Sequence, residues 1–340
     1  MKTGGVRRYI EKMTKAIIRH NTGHNIVIFH NCNHKLFNSD VKEVILQSKI
    51  KFICDYLIAP RKINELDLDL VWFPKNILPY GVKTRSIVSI HDLAYFFPEL
   101  KAYPLKDTAY MKFMMKRSCK KTDRLIAVSQ NTKRDIQRVL GRNDVHVIYE
   151  GTDYCRVNDV VELQRVKKKY NLPDKFVLYS GNLSPRKNLK HLIEACKALP
   201  SNIKLIICGY VSWNESVPHS PKISHIGFID EADMQALYSL ALVYVYPSLY
   251  EGFGLPILEA QACGSPVVCS NNSSIFEVGG KAVKYVDTSI LGIRRGLLEV
   301  IENIILREKL IKDGYENIKR FNWDDSAKKF LKLCESLACK

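Results

Sequence analysis

E-G-F-G-L-P-I-L-E, residues Glu251 to Glu259, sets two carboxylates eight positions apart around a glycine-rich turn. Its flanks read as a βαβ unit. Leu242–Pro247 is a short apolar strand, and Pro256 suits a first helical turn, where its missing N–H costs nothing. Gly264 suits the helix stop, and Pro266–Cys269 forms the next strand. Glu251 then sits in the loop at a strand's C-terminal end, with Glu259 in the first turns of the following helix. Between them, bare glycine backbone can bring N–H groups up to an anion, and the helix N-terminus adds partial positive charge. Carboxylates repel phosphate, so the arrangement suits a diphosphate on the amides and hydroxyls on the carboxylates. A sugar nucleotide offers both.

The dinucleotide fingerprint G-x-G-x-x-G fails here, because Ile257 occupies its last glycine position, which argues against NAD. The segment resembles instead the E-x7-E signature of the family-4 retaining glycosyltransferases, including the F-G-L-P inside it and the E-A that follows. Their GT-B fold implies an α/β chain of two Rossmann-like domains facing a cleft, with a C-terminal helix crossing back to the first domain. On that pattern residues 1–153 form an acceptor-side domain, 165–320 a nucleotide-sugar domain and 321–340 the crossing helix. After the strand Phe176–Ser180 comes G-N-L-S-P-R-K-N-L, similar to the family's diphosphate-gripping element. Charge agrees: Arg186 and Lys187 precede a helix beginning near Asn188 or Leu189, where cations are disfavoured unless an anion is present. Asn182 stands where some branches carry another basic residue.

In the first half, the strand Arg85–Ile90 ends at His91-Asp92 in the context I-V-S-I-H-D-L, which resembles the family's H-D-L element. The resemblance implies catalytic places for His91, Glu251 and Lys187, with His91 near the anomeric centre. It puts the donor diphosphate on Lys187, Arg186 and the loop Gly252, Phe253, Gly254 and Leu255, sugar hydroxyls on Glu251 and the ribose on Glu259. Gly4-Gly5 resembles a glycine loop that approaches the diphosphate and opens the first helix. Only Met1-Lys2-Thr3 precede it, so the first strand of that sheet is expected to be missing. Ser129 reads as a helix cap, with Asn131 and Lys133 structural. Glu150–Asp153 resembles the domain boundary, Gly227–Asp230 the edge of the base site, and Trp323 in the final helix a packing residue.

At 340 residues and 46% apolar content the chain can bury two cores. Strand-like runs alternate with amphipathic ones such as I-E-K-M-T-K-A-I-I, which argues for parallel sheets wrapped by helices. Ten scattered cysteines fit a reduced cytoplasmic compartment. Asp67-Leu68-Asp69 spells D-x-D, but its place before an apolar run reads as a polar helix end, and the resemblance implies a metal-independent reaction with no cofactor besides the donor. The first 150 residues hold 27 Lys and Arg against 14 Asp and Glu, most of the net +17. No nucleic-acid motif accompanies that charge. Lys112–Lys121 reads as an interfacial helix, Met111, Met114 and Met115 joining Phe113 on an apolar surface for anionic lipid; a core helix with a solvated basic side is the competing reading. The expected function is transfer of a hexose to a glycan or lipid-linked acceptor at the cytoplasmic membrane face, with GDP-mannose favoured over UDP-glucose. A sugar-nucleotide epimerase and a degenerate, non-catalytic nucleotide-sugar-binding protein are the alternatives.

Overall fold

The computed structural model describes residues 4–32, 34–37, 41–48, 53–210, 217 and 220–338. Met1–Thr3, on which the expectation of a missing first strand rests, lie outside them. The first lobe opens with helix α1 (Gly5–His20) and a parallel pair, β1 (Val27–His30) and β2 (Lys42–Ile45). After α2 (Ala59–Glu65) comes a separate four-stranded parallel sheet in the order β3 (Val71–Phe73), β4 (Ser86–Ile90), β5 (Arg124–Ala127), β6 (Val145–Val147). Helix α3 (Leu105–Lys121) joins β4 to β5, and α4 (Gln130–Leu140) joins β5 to β6. Crossover helices cover both faces of such a sheet, so its strands are continuous apolar runs. All five residues of β4 are buried.

The second lobe begins with α5 (Val160–Lys169) and β7 (Phe176–Ser180), followed by α6 (Leu189–Lys197), β8 (Lys204–Cys208) and β9 (Ile223–His225). Then come α7 (Glu231–Leu240), β10 (Val243–Tyr246), α8 (Leu255–Ala262), β11 (Val267–Ser270), α9 (Ser273–Gly279), β12 (Lys284–Val286), α10 (Ile290–Glu302) and α11 (Ile304–Asn317). All six strands are parallel, in the order β12-β11-β10-β7-β8-β9. The chain winds outward from β7 one way, returns, and winds outward from β10 the other way. The β7–β10 junction is therefore a switch point, where the two following loops diverge and leave a crevice at the strand ends. Both loops singled out in the sequence, Gly181–Asn188 and Pro247–Gly254, lie there. This is the two-lobed α/β arrangement expected of a GT-B protein.

The last helix, α12 (Trp323–Ala338), returns to the first lobe. Phe330, Leu333 and Leu337 join Tyr9, Met13, Ala16 and Ile17 of α1 in one buried cluster, and the Trp72 and Phe330 rings lie 4.8 Å apart. Trp323 is buried as a packing residue. The turn after β6 meets the start of α12 so closely that a Cβ on Gly151 would lie 2.6 Å from the Trp323 nitrogen.

Helix α3 departs from the apolar surface expected of it. Met114 and Met115 are buried with Ser118 and Cys119, so this face belongs to the core. The exposed apolar residues are Leu105, Tyr110 and Phe113, a different flank. Arg117 also turns inward, donating to the Leu78 carbonyl at 2.8 Å and lying 3.7 Å over the Tyr80 ring.

Gly151→Ala should force the turn and α12 apart. A misfit of this kind costs about 1–3 kcal/mol, so the thermal midpoint should fall by several degrees; an unchanged midpoint would mean that the contact is not tight.

Candidate functional site

The loop after β7 delivers two cations to the crevice and the loop after β10 delivers one carboxylate. Lys187 ends a 3-10 turn, Pro185–Lys187, and Asn188 takes a left-handed conformation (φ 58°) to start α6. Lys187 Nζ donates to Glu251 Oε1 at 2.5 Å and to the Tyr246 hydroxyl at 3.1 Å. Arg186 Nη1 donates to Glu251 Oε2 at 2.9 Å and to the Tyr250 carbonyl at 2.8 Å. Both Lys187 and Glu251 are buried. Burial pushes the Glu251 carboxyl up, but Arg186 and Lys187 outweigh it and hold it at about 2. For Lys187 burial dominates, and beside Arg186 it overrides the pull of Glu251, lowering the ammonium to about 8.

Glu259 lies one turn into α8, behind Gly254, whose φ of 114° lets the loop enter the helix. Its Oε1 accepts from Arg8 of α1, and its Oε2 accepts from the Tyr238 hydroxyl at 3.0 Å. Arg8 also bonds Glu231 Oε2 at 2.7 Å and lies 5.3 Å over the Tyr154 ring; the Tyr154 hydroxyl donates to Glu231 Oε1 at 2.8 Å. Burial raises the Glu259 carboxyl against the pull of Arg8. Sequence reasoning missed Arg8, Glu231 and Tyr238. Arg8 follows Gly4-Gly5 by one helical turn, which is the only local sign that it faces the cleft.

The lobes meet through backbone. A Cβ on Gly252 would lie 1.7 Å from the His91 carbonyl oxygen and 2.9 Å from the Asp92 Cβ, so only glycine fits. The Gly252 carbonyl accepts from Ser129 Oγ at 2.6 Å and Thr132 Oγ1 at 3.0 Å. Ser129 caps α4, accepting from the Thr132 amide at 3.0 Å, as read from the sequence. The Glu277 carboxylate of α9 completes the seam by accepting from the amides of Gln130 (2.9 Å) and Asn131 (3.1 Å), where the α4 dipole favours negative charge. Only the backbone of His91 reaches this seam. Its buried ring has Nε2 2.8 Å from the Pro74 carbonyl and Nδ1 3.5 Å from Glu150, with the Tyr9 ring edge-on at 4.7 Å. A carbonyl only accepts, so Nε2 carries a proton. Phe253 and Leu255 are buried, whereas Gly4 and Gly5 are exposed with open space above both Cα atoms.

A sequence profile of the group 1 glycosyl transferases matches residues 160–317, and one of glycosyltransferase family 4 matches residues 3–156. O-antigen chain mannosyltransferase B of Escherichia coli is 31% identical over 271 residues, covering 74% of this chain and 70% of that protein. This chain belongs to the family-4, group 1 glycosyltransferases. Serotype-specific mannosyltransferase WbdA of E. coli is 28% identical over 274 residues, which cover 73% of the chain but only 33% of that longer protein. Among solved structures, Anabaena HepE in complex with UDP-glucose superposes with a TM-score of 0.75 at 17% identity, covering 98% of this chain and 97% of that one. The GT-B fold is thereby shown, and the first of these mannosyltransferase relatives is named for the O-antigen chain.

In this glycosyltransferase Gly252→Ala should prop the lobes apart. Small-angle scattering should report a larger radius of gyration with an unchanged circular dichroism spectrum; an unchanged radius would mean that the seam adapts elsewhere.

Proposed function

We propose that this glycosyltransferase retains anomeric configuration, takes GDP-mannose as donor without a metal ion, and mannosylates a glycan or lipid-linked acceptor at the cytoplasmic membrane face. The observation that carries the reading is the convergence of Lys187, Arg186 and Glu251 at the switch point. The names of the mannosyltransferase relatives support the sugar, and the nucleotide-sugar complex on the same fold supports the donor class.

The chemistry follows from charge. As the bond from the anomeric carbon to phosphate breaks, negative charge grows on the departing diphosphate. In this reading Lys187, Arg186 and the amides at the start of α8 receive that charge, and preset charge of this kind lowers the barrier directly. Gly4 and Gly5, at the open N-terminus of α1, add N–H groups from the other lobe. Glu251 holds the cations ready before the donor arrives and then orients sugar hydroxyls, while Glu259, held by Arg8, accepts from the ribose diol. The acceptor oxygen bonds to the anomeric carbon from the leaving group's side and passes its proton to the phosphate oxygen that departs. The products are GDP and the extended acceptor, and no protein base is required. His91, with its ring engaged by Pro74 and Glu150, shapes the site through its backbone.

Donor binding should track the charge on Lys187. The ammonium, lowered to about 8, is protonated at pH 7 and loses its proton as pH rises past 8, so GDP-mannose affinity should fall between pH 7 and 9. Lys187→Met should weaken donor binding at pH 7 by at least about tenfold, the worth of one charge-assisted hydrogen bond, and abolish the pH step. Thermal-shift titration reads both. An unaltered pH profile in the variant would show that the site is misassigned, and tighter binding of UDP than GDP would sink the GDP-mannose assignment.

Membrane docking rests on the exposed flank of α3. Leu105, Ala109 and Phe113 recur every four residues, and Lys116 and Lys120 are exposed further along the same helix. Among the described residues no helix is long and apolar enough to cross a bilayer. The protein should sediment with phosphatidylserine vesicles and be released by salt, since each basic residue near such a surface adds about 1 kcal/mol. Replacing Phe113 with Ser and Lys116 and Lys120 with Gln should abolish sedimentation; persistence would place the contact elsewhere.

A further inference from the structure

Behind Glu251 the lobes part around a cavity of about 880 Å³, walled by α4 on one side and by the β11–α9 turn on the other. It adjoins the site directly: Ser273 Oγ accepts the Glu251 amide at 3.0 Å, and Asp135 Oδ2 accepts the hydroxyl of neighbouring Tyr250 at 2.8 Å. Ser273 is held at φ 46°, a left-handed conformation that costs a non-glycine residue about 1–3 kcal/mol. The strained turn brings its hydroxyl to the Glu251 amide while Asn271 and Asn272 face the cavity.

The lining narrows the ligand. Asp135 pairs with Arg138 at 3.0 Å and accepts from Asn131 Nδ2 at 3.0 Å, so these charges are satisfied within the wall. Among the described residues Arg134, Gln137 and Asn271 make no side-chain hydrogen bond or ion pair, which leaves a single unpaired cation beside two amides. Phe276 is 59% exposed and braced by the Tyr285 ring at 5.4 Å. One cation is too little for a polyanion, and one ring with many amides is too polar for an acyl chain. Amides that donate and accept and a guanidinium that donates, around one open aromatic face, suit a pyranose with its vicinal hydroxyls and its apolar C–H face. A second hollow of about 430 Å³ shares Asn271 and Asn272 and continues to Asp287 and Thr288. Each hollow is of ligand size, so the groove extends beyond one ring.

We propose that this interlobe groove is a saccharide subsite, holding the sugars of the acceptor that lie behind the residue being extended. The acceptor is then an oligosaccharide chain, bound by both lobes at once. The inference rests on the transferase reading above, and mannotriose is the probe because the relatives are mannosyltransferases.

Saturation-transfer NMR on the full chain, titrated with mannotriose in the presence of GDP, should show saturable binding. Arg134→Ala alters an exposed side chain, and Phe276→Ala a mostly exposed ring whose ring contact is Tyr285; each should weaken binding by about tenfold. GDP-mannose and UDP-glucose thermal shifts are measured on the same samples. Mannotriose binding that is equally strong in both variants, or no binding by the unmodified protein while a nucleotide sugar shifts its melting, overturns the subsite and leaves the transferase intact. Variant-sensitive mannotriose binding without any nucleotide-sugar shift upholds the subsite and overturns the donor reading; absence of both overturns both.

Discussion

A carboxylate buried between two cations governs this molecule. Glu251, Lys187 and Arg186 are each costly to bury alone, and removing one partner from such a group costs about 3–5 kcal/mol. Each residue is tolerable only because the other two are present. They arrive from different loops, so the requirement also ties the end of β7 to the end of β10. A diphosphate entering the crevice would meet cations that are already largely dehydrated.

The seam follows from this arrangement. With the β10 loop pinned from below by the cations, its upper side is presented to the first lobe at a fixed height. Gly252 removes the last obstacle to backbone contact with His91, and hydroxyls from Ser129 and Thr132 satisfy the carbonyl that closure buries. Closure also brings Arg8 to Glu259. The two carboxylates of the motif thus differ in kind: one is neutralised within its own lobe, the other only across the cleft.

Much of this was legible in the sequence, for reasons that differ by element. Ser129, Gly254 and Pro256 signal helix starts because their backbone preferences are local, and the strands at Phe176, Val243 and Val267 are unbroken apolar runs between turn residues. The cation pair could be found because positive charge before a helix is locally unfavourable. Arg8 and Glu277 could not, since a charge on a helix looks the same whether its partner is water or another lobe. Helix α3 admitted two readings, and burial of its methionines fits the core helix with a solvated basic side. Met111, Met114, Met115, Ser118 and Cys119 repeat at three- and four-residue steps, which marks a core face, while the lysines between them are what an interfacial helix would also carry. The burial of Lys187 was likewise invisible, because it depends on the long-range pairing of two strands.

The return of α12 has a consequence for biosynthesis. Arg19 and Asp324, joined at 2.8 Å, are 305 positions apart, and the α1 face bearing Tyr9 and Met13, which packs on the first-lobe sheet through Ser89 and His91, has its cover completed by α12. A chain made from its N-terminus therefore carries an incompletely covered apolar helix through almost all of translation, at about 5–20 residues per second. The second lobe can complete its sheet on the ribosome while the first waits. Contacts this distant form slowly, so the lobe that emerges first is the last to be finished.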